Sequence, residues 1–326
     1  MKWLITGGCG FIGVNLVYRL CSDPYNQIVV LDNLSVGTRD NLRAVCDFEE
    51  VPVGSQLDGN SGKVSLFVAN IMDEQTVASV AKGADIIVHL AANTGVGPSV
   101  EDPRQDCLIN VIGTLNVLEA AREHQTKRVI FASSGAPIGE CEPPIHEELA
   151  AHPVSPYGAS KLAGEGYCSA YSRTFNIDTV ALRFGNVYGQ RSKHKSSVVA
   201  KFITQALKGE VLEIYGDGGQ TRDFIHVDDL VAAIQRAVGS DDVGGEVFQI
   251  ATDRETSVNE LTDTLKEILA DMRPDLDIVI TNTEPRAGDV RRNFSNTSKA
   301  KKILNWQAGY SLREGLTATV DWFLAE

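Results

Sequence analysis

Lys2-Trp3-Leu4-Ile5-Thr6-Gly7-Gly8-Cys9-Gly10-Phe11-Ile12-Gly13 opens this chain, and its reading decides the fold. The apolar run over 2–6 predicts a strand, and the apolar spacing over 11–21 predicts a helix. Between them Gly8, Gly10 and Gly13 fit G-x-G-x-x-G, while Gly7, Gly10 and Gly13 fit the related G-x-x-G-x-x-G. Strand, glycine turn and helix together form the context in which such a motif seats a dinucleotide. Glycine lets the backbone turn tightly and lets a pyrophosphate reach the helix N-terminus, whose N–H groups and dipole favour an anion. A second apolar run, Ile28-Val29-Val30-Leu31, ends at Asp32, where an acidic residue is expected to bind the adenosine ribose. Its charge repels a 2′-phosphate, so NAD is favoured over NADP; Arg39, a few residues on, acts in the opposite sense.

Working outward, strands are predicted at 2–6, 27–32, 64–69, 85–90, 127–133 and 178–184, and helices at 11–21, 73–81, 105–123 and 157–174. This alternation predicts an α/β fold, a doubly wound parallel sheet covered on both faces. Residues 33–62 are polar, glycine-containing and without period, and are expected to be a loop excursion. The Rossmann domain is expected over 1–184, rejoined by about 226–250. Residues 185–326 are expected to form mainly a smaller C-terminal substrate lobe. The segment 105–123 has so many apolar positions that burial on more than one side is expected, including a subunit contact.

The chain has 326 residues and a formal net charge of −13, which argues against a nucleic-acid partner. Cysteines 9, 21, 46, 107, 141 and 168 are scattered without C-x-x-C spacing or clustered histidines, so neither disulfides nor a metal site is expected. The first residues already read as a strand, leaving no room for a signal peptide, and no apolar run approaches a membrane span. A cytoplasmic protein is expected.

The chemistry-bearing residues lie further along. Tyr157 and Lys161 are four residues apart at the start of a predicted helix, which stacks them on one face. A phenol is a poor base near neutrality, and a neighbouring ammonium favours its phenolate. By itself such a pair is more often a solvated helix face.

Joined, the motifs make the chain resemble an extended short-chain dehydrogenase/reductase of the NAD-dependent epimerase/dehydratase family, which acts on nucleotide sugars. The marks are Thr6-Gly7-Gly8-Cys9-Gly10-Phe11-Ile12-Gly13, Asp32-Asn33-Leu34, His89-Leu90-Ala91-Ala92, Ser133-Ser134, Tyr157 with Lys161, Arg183-Phe184-Gly185-Asn186-Val187-Tyr188-Gly189, Arg222-Asp223-Phe224-Ile225-His226-Val227-Asp228-Asp229 and Arg286-Ala287-Gly288-Asp289. The resemblance implies that Tyr157 is the acid/base, that Lys161 holds the nicotinamide ribose and lowers the Tyr157 pKa, and that Ser134 hydrogen-bonds the reacting sugar oxygen. It implies NAD contacts at Gly7, Gly10, Phe11, Ile12, Gly13, Asp32, Asn33, Asn70, Ile71, Leu90, Ala91, Ala92, Tyr157 and Lys161. It implies a diphosphate clamp of Asn186, Arg222 and Arg286, with Asp289 on the nucleotide ribose, and a homodimer formed by the helices at 105–123 and 157–174. Taken singly, Arg222 is more often a surface ion pair with Asp223. At position 70 the family usually has Asp; Asn70 keeps a carbonyl acceptor there.

Ser133-Ser134-Gly135-Ala136-Pro137-Ile138-Gly139 points to the reaction. Dehydratases of the family have Asp-Glu after the hydroxyl residue, whereas Gly135 and Ala136 cannot move protons. Glu140 and Glu142 lie farther along the loop. What remains is oxidation followed by reduction on the opposite face, with NAD retained, which inverts C4 of a UDP-sugar; UDP-glucose and UDP-galactose are the default pair. UDP-glucuronate epimerisation or decarboxylation, with His152 or Lys193 facing a carboxylate, CDP-sugar 2-epimerisation and a non-catalytic NAD sensor are the alternatives. Asn293 matches the wall position that controls access of N-acetyl groups.

Overall fold

The computed structural model describes residues 1–55, 63–193, 197–285 and 290–325. Strands β1 (Lys2–Thr6), β2 (Gln27–Asp32), β3 (Glu49–Glu50), β4 (Val64–Val68), β5 (Ile86–His89), β6 (Arg128–Ser134) and β7 (Asp178–Phe184) join Glu246–Ile250 in one sheet. Its order is Glu246–Ile250, β7, β6, β5, β1, β2, β4, β3, and every pairing is parallel.

Buried parallel strands need apolar side chains on both faces, alternating with period two. Trp3 and Ile5 of β1 enter one core while Leu4 enters the other, and in β2 Ile28 and Val30 oppose Val29 and Leu31. Helix α1 (Phe11–Leu20) and the helix Val227–Gly239 cover the first face through Leu16, Val17, Leu230 and Ile234. The second face is covered by α3 (Glu74–Ala81), α6 (Gly113–Glu123) and α7 (Pro156–Phe175). A third core, including Phe202, Leu261, Leu265, Leu316 and Val320, is built entirely after residue 187.

Two differences from the sequence reading concern short elements. Residues 33–62 contain helix α2 (Arg39–Arg43), capped by Thr38, whose side chain accepts from Asn41 N, and the edge strand β3. The expected helix at 105–123 is preceded by α4 (Val96–Glu101). It is divided into α5 (Pro103–Cys107), a π-turn at Leu108–Ile112 and α6. The chain runs outward from β1 to β2 and β4, then crosses back to β5 on the other side of β1. This reversal opens a crevice at the carboxyl ends of β1 and β5, where ligands bind in open α/β sheets.

Candidate active site

The glycine turn sits at that crevice. Gly7 has φ +71°, and a Cβ there would lie 2.7 Å from Ala91 N, so the chain leaving β1 passes directly against the chain leaving β5. A Cβ on Gly13 would meet Gly7 O at 2.4 Å, whereas one on Gly10 would meet only Gly7 O, at 3.3 Å, leaving the outer side of the turn open. No side chain caps α1. A cradle closed on the protein side, open outward and facing an uncapped helix N-terminus fits a pyrophosphate. Asp32, buried at the end of β2, accepts from Cys9 N at 2.9 Å and Leu34 N at 2.8 Å; desolvation raises its pKa, and both hydrogen bonds oppose that rise. Arg39 is held by Glu50 through paired bonds of 2.7 and 2.8 Å. The donor set therefore fits a dinucleotide with a free ribose 2′-hydroxyl.

The other expected cofactor positions follow the carboxyl ends of β2, β4 and β5. Leu90 N donates to Thr6 O at 3.0 Å and Ala91 N to Thr6 Oγ1 at 3.3 Å, with Ala92 following. Asn33 and Asn70 are exposed and form local turns, accepting from Ser35 N and Met72 N at 3.0 Å each. Ile71 is buried, and its carbonyl accepts from Asn116 Nδ2 at 2.9 Å.

Ser134 ends β6, and α7 begins beside it. Ser155 caps α7 by accepting from Gly158 N at 3.1 Å, and Pro156, which lacks an N–H, occupies the first turn. A Cβ on Gly164 would lie 2.3 Å from Phe131 Cζ, so α7 lies close against β6 and brings Tyr157 to Ser134. The Ser134 side chain acts on the Tyr157 phenol and favours its charged form. Lys161 is 4 % exposed and turns inward: Nζ donates to Ala132 O at 2.8 Å and lies 4.9 Å from the Phe131 ring centre.

One expectation is corrected here. Lys161 was to lower the Tyr157 pKa. Instead, desolvation pushes the phenol up to about 12, opposed by the Ser134 hydroxyl and reinforced by the Asp106 charge. Burial lowers the Lys161 ammonium to about 8, against the fields of Asp106 and Glu165. The protein by itself keeps its base protonated.

Asn186 is exposed just beyond β7, on Asn186–Tyr188, which pairs in parallel with Phe224–His226. Arg222, half-buried, donates from Nη1 to Thr221 O at 2.6 Å and Val290 O at 2.7 Å. Asp223 points inward and accepts from Thr252 N at 2.7 Å and Thr252 Oγ1 at 2.6 Å. Arg286 and Asp289 lie outside the described residues. Glu142 pairs with Arg292 at 2.7 Å, and Glu140, His152 and Lys193 are exposed. Asn293 is half-buried, its N–H 3.4 Å from Thr221 Oγ1.

Sequence reasoning missed a buried network behind the hydroxyl pair. Thr114 Oγ1 donates to Asn110 O at 2.6 Å, so it accepts from His89 Nε2–H at 3.0 Å. His89 Nδ1 then accepts from Thr6 Oγ1 at 2.7 Å. Asn110 lies in the π-turn; its Nδ2 contacts Asn93 O, Asp106 Oδ1 and Ser160 Oγ at 2.9, 2.9 and 3.1 Å. The polar residues of an otherwise apolar 105–123 segment were the available signal.

The family model described as "NAD dependent epimerase/dehydratase family" matches residues 3–251. The chain is 36 % identical to UDP-glucose 4-epimerase of Mycolicibacterium smegmatis, over 99 % of this chain and 98 % of the relative. The crystal structure of UDP-glucose 4-epimerase with UDP-glucose from Thermotoga maritima superimposes with a TM-score of 0.86 at 36 % identity, covering 100 % of this chain and 99 % of that one. The UDP-glucuronic acid 4-epimerase of Bacillus cereus, in complex with UDP-glucuronic acid and NAD, gives 0.87 at 27 % identity with coverage of 100 % and 99 %.

Proposed function

Because this chain belongs to the NAD-dependent epimerase/dehydratase family, we propose that it is a nucleotide-sugar epimerase inverting C4 of the sugar, with UDP-glucose and UDP-galactose as the default pair. The observation that carries this reading is the Ser134–Tyr157 hydroxyl pair at the crevice, followed by Gly135 and Ala136, which have no group able to expel or abstract at neighbouring carbons. Bound NAD supplies a reversible hydride acceptor at the sugar carbon and, when oxidised, a positive charge.

In this reading Ser134 orients the C4 hydroxyl and Tyr157 removes its proton. The transient 4-keto sugar turns over, and Tyr157 returns the proton once the opposite face has been reduced. Lys161 holds the nicotinamide ribose. Asn186 and Arg222 anchor the diphosphate, and Arg286 with Asp289 completes the clamp on grounds of motif. Arginine suits that role because its planar fork pairs with phosphate oxygens. Anchoring the diphosphate leaves the sugar free to swing. The Rossmann unit is assigned to 1–184 together with the segment near 226–250, and the substrate lobe mainly to 185–326. The protein is assigned to the cytoplasm. It is assigned as a homodimer, in keeping with exposed Leu108 and Ile112 on the π-turn and Tyr167 and Phe175 on α7.

Mass spectrometry of the denatured, purified protein is expected to release NAD, and the native protein is expected to interconvert UDP-galactose and UDP-glucose. Tyr157→Phe is expected to lower kcat/KM by about 100- to 10,000-fold with NAD still bound. Unchanged turnover of every nucleotide sugar by that variant would defeat the reading, and a pentose product from UDP-glucuronate would replace it with decarboxylation.

A further inference from the structure

Asp106, on α5, is 1 % exposed, and its Oδ2 is buried without a hydrogen-bond partner. Its Oδ1 accepts from Asn110 Nδ2 at 2.9 Å. The same amide reaches Ser160 Oγ at 3.1 Å, and Ser160 Oγ donates to Tyr157 O at 3.0 Å. The carboxylate is thus joined through two side chains to the turn that carries the acid/base. A buried carboxylate oxygen left unpaired destabilises the fold. Asp106 therefore gives little structural return, while its field acts on both Tyr157 and Lys161.

We propose that Asp106 is a positioning residue, the internal counter-charge of the Tyr157–Lys161 pair, which keeps Lys161 an ammonium until cofactor and substrate are in place. The proposal rests on the reading of Tyr157 as the acid/base. The charged and titratable groups that act on Lys161 are Asp106 from α5 and Glu165 and Cys168 from its own helix, with His89 facing it from β5. Glu165 is already committed to Arg183 at 2.8 and 2.7 Å and to Ser133 at 2.5 Å. Asp106 is the carboxylate with an oxygen to spare. It raises the proton affinity of both members of the pair, so removing its charge lowers both.

The test compares wild type with Asp106→Asn and the charge-retaining Asp106→Glu, each purified with its cofactor. Tyrosinate absorbance is titrated, with Tyr157→Phe subtracted, and kcat is followed against pH. In Asp106→Asn the Tyr157 transition is expected to move down by roughly one pH unit, with both limbs of the kcat profile following, while Asp106→Glu stays near wild type. Asp106→Ser, which removes charge and orphaned oxygen together, is expected to show the same shift. Superimposable titrations of wild type and a neutral variant overturn the proposal, as does failure of both neutral variants to fold, which makes Asp106 purely structural. The tyrosinate titration needs no turnover, so it separates this inference from the choice of reaction.

Discussion

Gly135 separates folding from function at a single residue. Gly7 is needed by its backbone angle and its neighbour, but a Cβ on Gly135 would meet nothing within 4 Å. Its φ is not in the left-handed region, and the adjacent Ser134 Oγ accepts from Ala136 N at 3.2 Å. Glycine there leaves room for the backbone to approach a ligand beside the hydroxyl pair. Gly135→Leu is expected to change stability by no more than about 0.5 kcal/mol. The same substitution is expected to lower kcat/KM for UDP-sugars at least about tenfold, roughly 1.4 kcal/mol of transition-state binding. Denaturant melts and steady-state kinetics on one preparation check this; a destabilised protein with full activity per folded molecule would show that the space belongs to the fold. The sequence revealed that Gly135 and Ala136 cannot transfer protons. It did not reveal the upward pKa of Tyr157, because desolvation depends on what packs around a group rather than on its neighbour four residues away.

Helices make the homodimer testable. Leu108 and Ile112 on the π-turn and Tyr167 and Phe175 on α7 are exposed large apolar side chains on two segments in contact with each other. Light scattering is expected to give about twice the 35.2 kDa chain mass, and Ile112→Glu with Phe175→Glu is expected to reduce it to one chain. A single-chain mass for wild type would remove the assignment. The elements differ in how far the sequence shows them. The six predicted strands were legible because burial on both faces demands apolar runs bounded by turns. The 157–174 helix was legible within a residue of Pro156–Phe175. Helix α2 was not, since Arg39–Arg43 is too short to establish a period and depends on the Thr38 cap. The π-turn at Leu108–Ile112 alters only one hydrogen-bond register, which leaves no mark on an apolar pattern, yet it places Asn110 between Asp106 and Ser160.

Across the whole molecule, the crevice is held by polar groups that the apolar alternation of the strands hides. His89 ends β5 at the centre of the sheet and joins Thr6 of β1 to Thr114 of α6. The linear sequence gave His89 only as part of a motif, because its partners lie 83 and 25 residues away. Burial, with the Lys161 charge adding to it, lowers the imidazole pKa from 6.5 to about 3. This makes the protein acid-sensitive in a defined window. Above pH 6.5 the imidazole is neutral in folded and unfolded chains alike, and its full contribution to stability is present. As pH falls, the unfolded chain binds a proton that the folded chain refuses, so stability drops by about 1.4 kcal/mol per pH unit from this group, until the folded imidazole itself titrates near pH 3. His89→Gln replaces the ring with a group that does not titrate. Urea unfolding is expected to show this variant less stable than wild type near pH 7, through its imperfect fit between Thr6 and Thr114, but with a shallower loss between about pH 6.5 and pH 4. The carboxylates titrating in that range are common to both proteins, so the difference in slope isolates His89. Parallel loss in the two proteins would mean that acid opens the crevice through another group and that the imidazole charges without unfolding the chain.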